Sequence, residues 1–136
     1  MEEEQGKTLK RVANLLAVAS IYARSPTLLD RISNALSKEA AVKVIGDCER
    51  IVRTGLDRGE IRQSTVKRNN SELPALIVRE GGEEGKERTV IGYMATTTDV
   101  ESFIEQVERD VYSARKAGAI AMSIVNSTLL GGGEGQ

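Results

Sequence analysis

The 136-residue chain carries 19 basic and 20 acidic side chains, a formal net charge of −1, and is 40% hydrophobic and 29% charged. This balance fits one soluble folded domain, and no apolar run reaches the ~18 residues of a membrane span. The chain has no histidine and a single cysteine, Cys48. Internal disulfides, histidine-based catalysis and structural zinc sites are therefore excluded, and many enzyme classes with them.

The two ends of the chain are predicted to be disordered tails. Residues 1–6 are acidic and lack the basic-then-apolar order of a signal peptide, and residues 131–136 are mainly glycine. Residues 7–130 form the predicted single domain. With no signal peptide and no disulfide, we expect an intracellular, cytoplasmic protein.

Three helices are predicted before residue 60. Apolar residues recur every three or four positions over residues 7–23, with extra apolar positions that indicate burial on two faces. Ser25 is the expected N-cap of a second helix over residues 26–36, which has proline at its first position. Ser37 is the expected N-cap of a third helix over residues 38–58.

Strands are predicted next. Three short segments have strand character: residues 60–67, 74–79 and 89–95. The second segment is apolar on both faces. A polar loop at residues 68–72 and a glycine-rich turn at residues 81–86 separate the three segments, which predicts a small antiparallel meander.

The C-terminal part is predicted to be helical again. Residues 98–117 place apolar side chains on one helix face, and Thr98 with Glu101 predicts a capping box. Gly118 is the expected break. The apolar run over residues 119–129 is interpreted as a second helix, with a buried strand as the alternative.

These elements define a mainly helical α+β fold. Residues 7–59 and 98–130 form the helical part, a helical bundle. Residues 60–97 form the small inserted antiparallel three-stranded β meander. No internal repeat is visible in the sequence.

Two short motifs, one like a phosphate loop and one like a nuclease metal site, occur in a sequence context that argues against either function. Residues 81–86 resemble a phosphate loop, but the glycine spacing is wrong and Glu87 replaces the required Ser or Thr. Residues 84–86 match the Glu-x-Lys element of metal-dependent nucleases, but they lie in a predicted turn without a neighbouring carboxylate on the strand. We therefore predict no catalytic residue, no metal site and no cofactor, in a protein that is not an enzyme.

One basic segment is the candidate binding site. Residues 43–68 carry seven basic and four acidic side chains. The basic ones are Lys43, Arg50, Arg53, Arg58, Arg62, Lys67 and Arg68. They predict a track that contacts nucleic-acid phosphates without reading bases, since aromatic residues are only 3% of the chain. The alternative is a solvated face with local ion pairs to Asp47, Glu49 and Asp57.

Several segments together resemble a known family. They are LLAVASIY (residues 15–22), SPTLLDR (25–31), IGY (91–93), FI (103–104) and DVYSARKAGA (110–119). Over residues 8–128 they resemble the small subunit of archaeal type I-A CRISPR interference (Cascade-type) complexes. No catalytic signature is part of this resemblance.

The resemblance implies a non-catalytic subunit of an antiviral ribonucleoprotein. Such a subunit would contact the backbone subunits and assist the binding of guide RNA and target DNA, with weak affinity of its own and no membrane contact. The alternative function is a self-associating protein-interaction module without a nucleic-acid role, in which residues 74–79 form an edge or interface strand.

Overall fold

The computed structural model describes residues 2–131, with the side chains of residues 5–128. Within this range five α-helices form the larger part: α1 (Glu2–Ala23), α2 (Thr27–Ser33), α3 (Lys38–Asp57), α4 (Thr97–Arg109) and α5 (Tyr112–Gly131). Three strands are inserted between α3 and α4: β1 (Ile61–Arg68), β2 (Ser71–Arg79) and β3 (Glu87–Ile91). They pair antiparallel in the order β1-β2-β3, so the predicted mainly helical α+β fold with an inserted meander is confirmed.

Helix α1 runs through the centre of the molecule. All its residues from 12 to 20 are buried, and the helix contacts each of the other four helices as well as β2 and β3. Asn14 and Ser20 are the polar residues of this buried stretch. A helix that is apolar on nearly all sides must be covered on all sides. The predicted burial on two faces is therefore confirmed and extended.

The sheet packs one of its faces against the helices. The strand register places Ile61, Leu76, Val78 and Val90 on the same face, and all four are at most 2% exposed. The opposite face carries Ile77, which is only partly buried. Because β2 is the central strand, the hypothesis that residues 74–79 form an edge is wrong, and β1 is an edge instead.

A two-residue turn joins β1 to β2. Arg68 pairs with Ser71, and the φ angles of Asn69 and Asn70 are +52° and +65°. Positive φ at both central residues defines the type I′ turn that favours asparagine. The predicted loop at residues 68–72 is therefore shorter in the structure. Strand β2 includes Pro74, which pairs with Thr65 of β1 but lies beyond the residues that pair with β3.

The N-cap predicted for α2 is wrong, and the N-cap predicted for α3 is confirmed. Pro26, not Ser25, occupies the N-cap of α2, without a side-chain hydrogen bond to the backbone. Helix α2 ends at Ser33, and Leu36 beyond it is 85% exposed. The Ser37 cap is confirmed, since the Ala40 backbone N–H donates to the Ser37 hydroxyl at 3.1 Å.

The predicted start of α4 is wrong by two residues. The capping box is formed by Thr96 and Asp99, not by Thr98 and Glu101. The Asp99 N–H donates to Thr96 Oγ1 at 3.1 Å, and the Thr96 N–H donates to Asp99 Oδ2 at 2.9 Å. Both pairs have the same spacing, so the pattern alone did not identify the one that is used.

The break between α4 and α5 also lies elsewhere. It falls at Asp110, whose φ and ψ are −156° and 101°, rather than at Gly118. Gly118 is a buried residue inside α5. The run over residues 119–129 is helical, which confirms the first of the two interpretations.

The predicted tails lie largely at the limits of the described range. Helix α1 begins at Glu2, within the stretch predicted to be an acidic tail. At the other end, α5 reaches Gly131. Met1 and residues 132–136 lie outside the described residues. No helix between residues 2 and 131 is both long and apolar enough to cross a membrane.

Candidate nucleic-acid interface

The seven predicted phosphate-binding residues are all exposed, but they lie on different surfaces. Their positions are α3 for Lys43, Arg50 and Arg53, the C-cap of α3 for Arg58, and β1 for Arg62, Lys67 and Arg68. Successive side chains of a strand point to opposite faces. Lys67 therefore projects from one face of the sheet, and Arg62 and Arg68 project from the other. The structure divides the predicted track into separate basic surfaces.

Two of the seven residues form ion pairs. Arg50 pairs with Asp47, and Asp47 also accepts a hydrogen bond of 3.1 Å from Arg31 of α2. The hydrogen bond from Arg31 lowers the pKa of Asp47, with help from the charges of Lys43 and Arg50. Arg62 pairs with Glu87 of β3 at 3.1 Å. The Arg50 pair is one that the alternative of a solvated face with local ion pairs named, whereas Glu87 was not among its expected partners.

The other five make no ion pair with a described side chain: Lys43, Arg53, Arg58, Lys67 and Arg68. Arg58 lies beside the Tyr22 hydroxyl, which donates a hydrogen bond to Glu60. Burial and this hydrogen bond raise the pKa of Tyr22, and Arg58 opposes them. The remaining four cations are the ones best able to contact an external phosphate.

A groove between β3 and α5 combines cations with hydroxyl groups, and is called the α5–β3 groove below. It encloses about 450 Å³ above a floor of valine and isoleucine side chains. Its polar lining consists of Lys10, Arg68, Thr89, Ser123, Ser127 and Thr128. None of the lining residues is acidic. Lysine, arginine and hydroxyl side chains are the groups that contact phosphates in protein–DNA complexes.

A second cleft lies between α1, α3, β1 and the segment that follows β3, and is called the Tyr93 cleft below. It encloses about 430 Å³, and Arg53 is the one predicted site residue that lines it. Arg11 lies over the Tyr93 ring, 5.6 Å from the ring centroid, and pairs with Asp99 at 3.6 Å.

Sequence reasoning did not single out Lys10, Arg11 and Tyr93, which line these two clefts. Lys10 and Arg11 are distant in sequence from the basic segment, and Tyr93 was placed inside a strand. One signal was available, since Tyr93 follows a glycine that can end a strand.

Cys48, the single cysteine of the chain, lines neither the α5–β3 groove nor the Tyr93 cleft. Cys48 is fully buried, and burial raises the pKa of its thiol to about 12, so the thiolate is scarce at neutral pH. Among the described residues, no group of three or more His, Cys, Asp or Glu side chains lies together in a way that could hold a metal ion.

Comparison with protein-family models places the chain among the CRISPR-associated proteins. The matching family is described as CRISPR-associated protein (Cas_Csa5), and the match covers residues 15–124. The chain belongs to this family, and Csa5 is the small subunit of type I-A CRISPR systems, which confirms the resemblance seen in the sequence. No match to a curated protein or to a solved structure was found.

Proposed function

We propose that this protein is the non-catalytic small subunit of an archaeal type I-A CRISPR effector complex. In the cytoplasm it contacts the backbone subunits and assists the binding of guide RNA and target DNA. The family match over residues 15–124 is the observation that carries the proposal. The exposed cations that have no acidic partner among the described side chains support its nucleic-acid part, since Lys and Arg neutralise phosphates.

Weak affinity of the isolated chain follows from its charges. The net charge is −1, and the cations without an ion pair to a described side chain are divided between α3, the β1–β2 hairpin and the α5–β3 groove. Each surface offers few phosphate contacts. Inside a complex the neighbouring subunits hold the nucleic acid close, which raises its effective concentration at these surfaces.

The binding test compares salt dependence between variants of the full chain. Each lysine or arginine that neutralises a phosphate of single-stranded nucleic acid contributes about 0.7 to the slope of log K against log salt. Arg53→Gln with Arg68→Gln should therefore weaken binding and reduce the slope by about 1.4. Arg109→Gln removes one exposed charge outside the basic segment and serves as a single-charge control, which should leave the slope unchanged.

Arg50→Gln with Arg62→Gln is expected to change binding less, because Asp47 and Glu87 already neutralise these two side chains. An unchanged slope in the Arg53 and Arg68 variant would contradict the assigned phosphate contacts. No binding of the wild-type chain, even within the assembled complex, would contradict the nucleic-acid role as a whole.

The partner test is affinity purification of the tagged chain from its native host. The proposal expects guide RNA and other CRISPR effector subunits to co-purify at low salt. A chain that purifies with neither, while remaining folded, would contradict the proposed assembly.

A self-associating module without a nucleic-acid role is the second candidate. The open edge of β1 favours it, since an unpaired edge can add a strand from another chain. The same strand carries Arg62, Lys67 and Arg68, and charged side chains on an edge oppose such pairing. A stable dimer by light scattering that is indifferent to RNA and to the arginine changes would favour this second function.

A further inference from the structure

Tyr93 is an exposed aromatic residue on a firmly anchored backbone. Its side chain and backbone together are 58% exposed, yet its carbonyl oxygen accepts a hydrogen bond of 2.8 Å from Nδ2 of Asn14. Asn14 is only 1% exposed, in the buried stretch of α1. The central helix therefore fixes the segment that presents the tyrosine to solvent.

Gly92 makes this anchor possible. Its φ angle is +137°, and a Cβ at this position would lie 2.6 Å from Nδ2 of Asn14. The Gly92 N–H also donates to the Pro74 carbonyl at 2.8 Å, which ties the segment to β2. A residue with a side chain could not take this conformation without strain, so the exposed position of Tyr93 depends on a specific local structure.

A guanidinium group lies against the Tyr93 ring. The guanidinium carbon of Arg11 is 5.6 Å from the ring centroid, and an ion pair of 3.6 Å with Asp99 holds Arg11 there. Asp99 is itself fixed by the capping box of α4. Aromatic rings and guanidinium planes are the two groups on which proteins stack unpaired nucleobases.

The rest of the Tyr93 cleft has the size and the groups for one base. Its volume of about 430 Å³ falls in the range of small-ligand sites. Leu56, 38% exposed, offers an apolar surface, and Gln63 and Glu49 offer hydrogen-bond donors and acceptors for a base edge. Arg53 adds a cation that makes no ion pair with a described side chain, suited to a flanking phosphate.

We propose that the Tyr93 cleft binds one unpaired nucleobase of single-stranded DNA or RNA, stacked on the Tyr93 ring. A duplex hides the faces of its bases inside the stack, so this contact selects single strands. The inference rests on the proposed function and adds to it a base-contacting site beside the phosphate contacts. It also assigns a role to an aromatic residue in a chain with few of them.

The test measures the affinity of the full chain for a fluorescent single-stranded 12-mer and for the duplex of the same sequence. Tyr93→Ala should weaken single-strand binding at least about fivefold, because stacking on an aromatic residue contributes that much or more per base. Duplex binding and the salt slope should stay at their wild-type values. Tyr93→Phe keeps the ring and should keep the affinity.

Tyr112 provides a matched control. It is 59% exposed, close to the 58% of Tyr93, and it lies at the first position of α5, outside the cleft. Tyr112→Ala should bind both nucleic acids as the wild type does.

Tyrosine fluorescence gives a second readout. The chain has three tyrosines and no tryptophan, so a base stacked on Tyr93 should quench the protein's emission. Saturation with the 12-mer should quench the wild-type chain. The Tyr93→Phe variant, although it still binds, should lose most of that quenching.

Four results would overturn the proposal. An unchanged single-strand affinity in Tyr93→Ala would remove the base site and leave the proposed function intact. The base site would also be removed if Tyr93→Ala weakened single-strand and duplex binding equally, or if Tyr112→Ala weakened single-strand binding as much as Tyr93→Ala does. No binding of nucleic acid by the wild-type chain, alone or in the assembled complex, would overturn both this inference and the nucleic-acid part of the proposed function.

Discussion

The Asp47 carboxylate links α2 to α3 through a single side chain. It accepts a hydrogen bond of 3.1 Å from Arg31 of α2 and pairs with Arg50 on its own helix. The hydrogen bond from Arg31, with the nearby charges of Lys43 and Arg50, lowers the pKa of Asp47 from 3.8. The folded state therefore favours the charged carboxylate more strongly than the unfolded state does.

This link predicts an acid-dependent loss of stability. The contribution of Asp47 is fully present above pH 3.8, and it is lost as the pH falls through the lowered pKa of the folded state. Asp47→Asn should be less stable than the wild type near neutral pH. The difference should shrink toward about pH 2, measured as urea midpoints from about pH 6 downward. A difference that stays constant over this range would contradict the link.

Single residues show which features of the site could be predicted from sequence. The helix period of α3 places Lys43, Arg50 and Arg53 outside the apolar line, so their exposure could be predicted. The pair of Arg50 with Asp47 joins two residues three positions apart on one helix, so it could be predicted as well. The pair of Arg62 could not, because it depends on how the strands pack. The partner of Arg62 is Glu87, 25 residues away on another strand. The contact of Arg11 with Tyr93 likewise joins α1 to the segment after β3 and leaves no local sequence pattern.

At the scale of elements, Gly118 sets how closely α5 approaches α2. A Cβ at Gly118 would lie 2.7 Å from Ser33 Oγ, 2.8 Å from Ile32 Cγ2 and 3.2 Å from the backbone nitrogen of Ser33. Gly118→Ala should destabilise the protein, because overpacking of about 1–3 kcal/mol outweighs the gain of about 1 kcal/mol in helix propensity. Urea unfolding monitored by circular dichroism measures the change.

Gly46 is the matched control for this prediction. It also lies inside a long helix, α3, but the nearest atom to its added Cβ is Arg50 Nη1 at 3.8 Å, an ordinary contact distance. Gly46→Ala should raise the free energy of unfolding by up to about 1 kcal/mol. Stabilisation by both substitutions would show that α2 and α5 are not in close contact at Gly118.

The start of α4 offers a direct test of the capping assignment. Thr96 caps the helix by accepting from the Asp99 N–H, whereas Thr98 is an exposed residue of the first turn. Thr96→Ala should cost about 0.5–2 kcal/mol of stability. Thr98→Ala should be near neutral, since the wild-type Thr98 caps nothing. Thermal or urea unfolding of the two variants distinguishes these outcomes, and a larger loss in Thr98→Ala would contradict the assignment.

The existence of the helices could be predicted from the sequence, but several of their ends could not, because helix ends depend on tertiary packing. Helix existence follows from local apolar spacing, and five helices with three strands were predicted in the correct order. Helix ends depend on which of several local signals the tertiary structure uses. Gly118 is a plausible C-cap by sequence alone, but the crossing with α2 needs a residue without a side chain there. In the structure the helix break falls at Asp110.

Across the whole molecule, burial falls from α1, which is covered on all sides, to the exposed tip of the β1–β2 hairpin. The helix is covered by all four other helices and by one face of the sheet, and its residues 12–20 are buried throughout. The β1–β2 hairpin is different, because β3 pairs only with residues 75–79 of β2. The hairpin tip, residues 66–73, is paired only within itself and has no fully buried residue. Local stability should therefore fall from α1 toward this tip.

Hydrogen exchange should report this gradient. Amides of residues 12–20 should exchange only through global unfolding, whereas amides of the tip should open with a free energy lower by at least about 2 kcal/mol. The tip carries Lys67 and Arg68, so a bound phosphate backbone should slow its exchange if the proposed contacts exist. Mass spectrometry of the full chain with and without a single-stranded 12-mer measures both effects. Equal protection of α1 and the tip in the free chain would contradict the gradient, and a tip unaffected by saturating nucleic acid would remove Lys67 and Arg68 from the proposed interface.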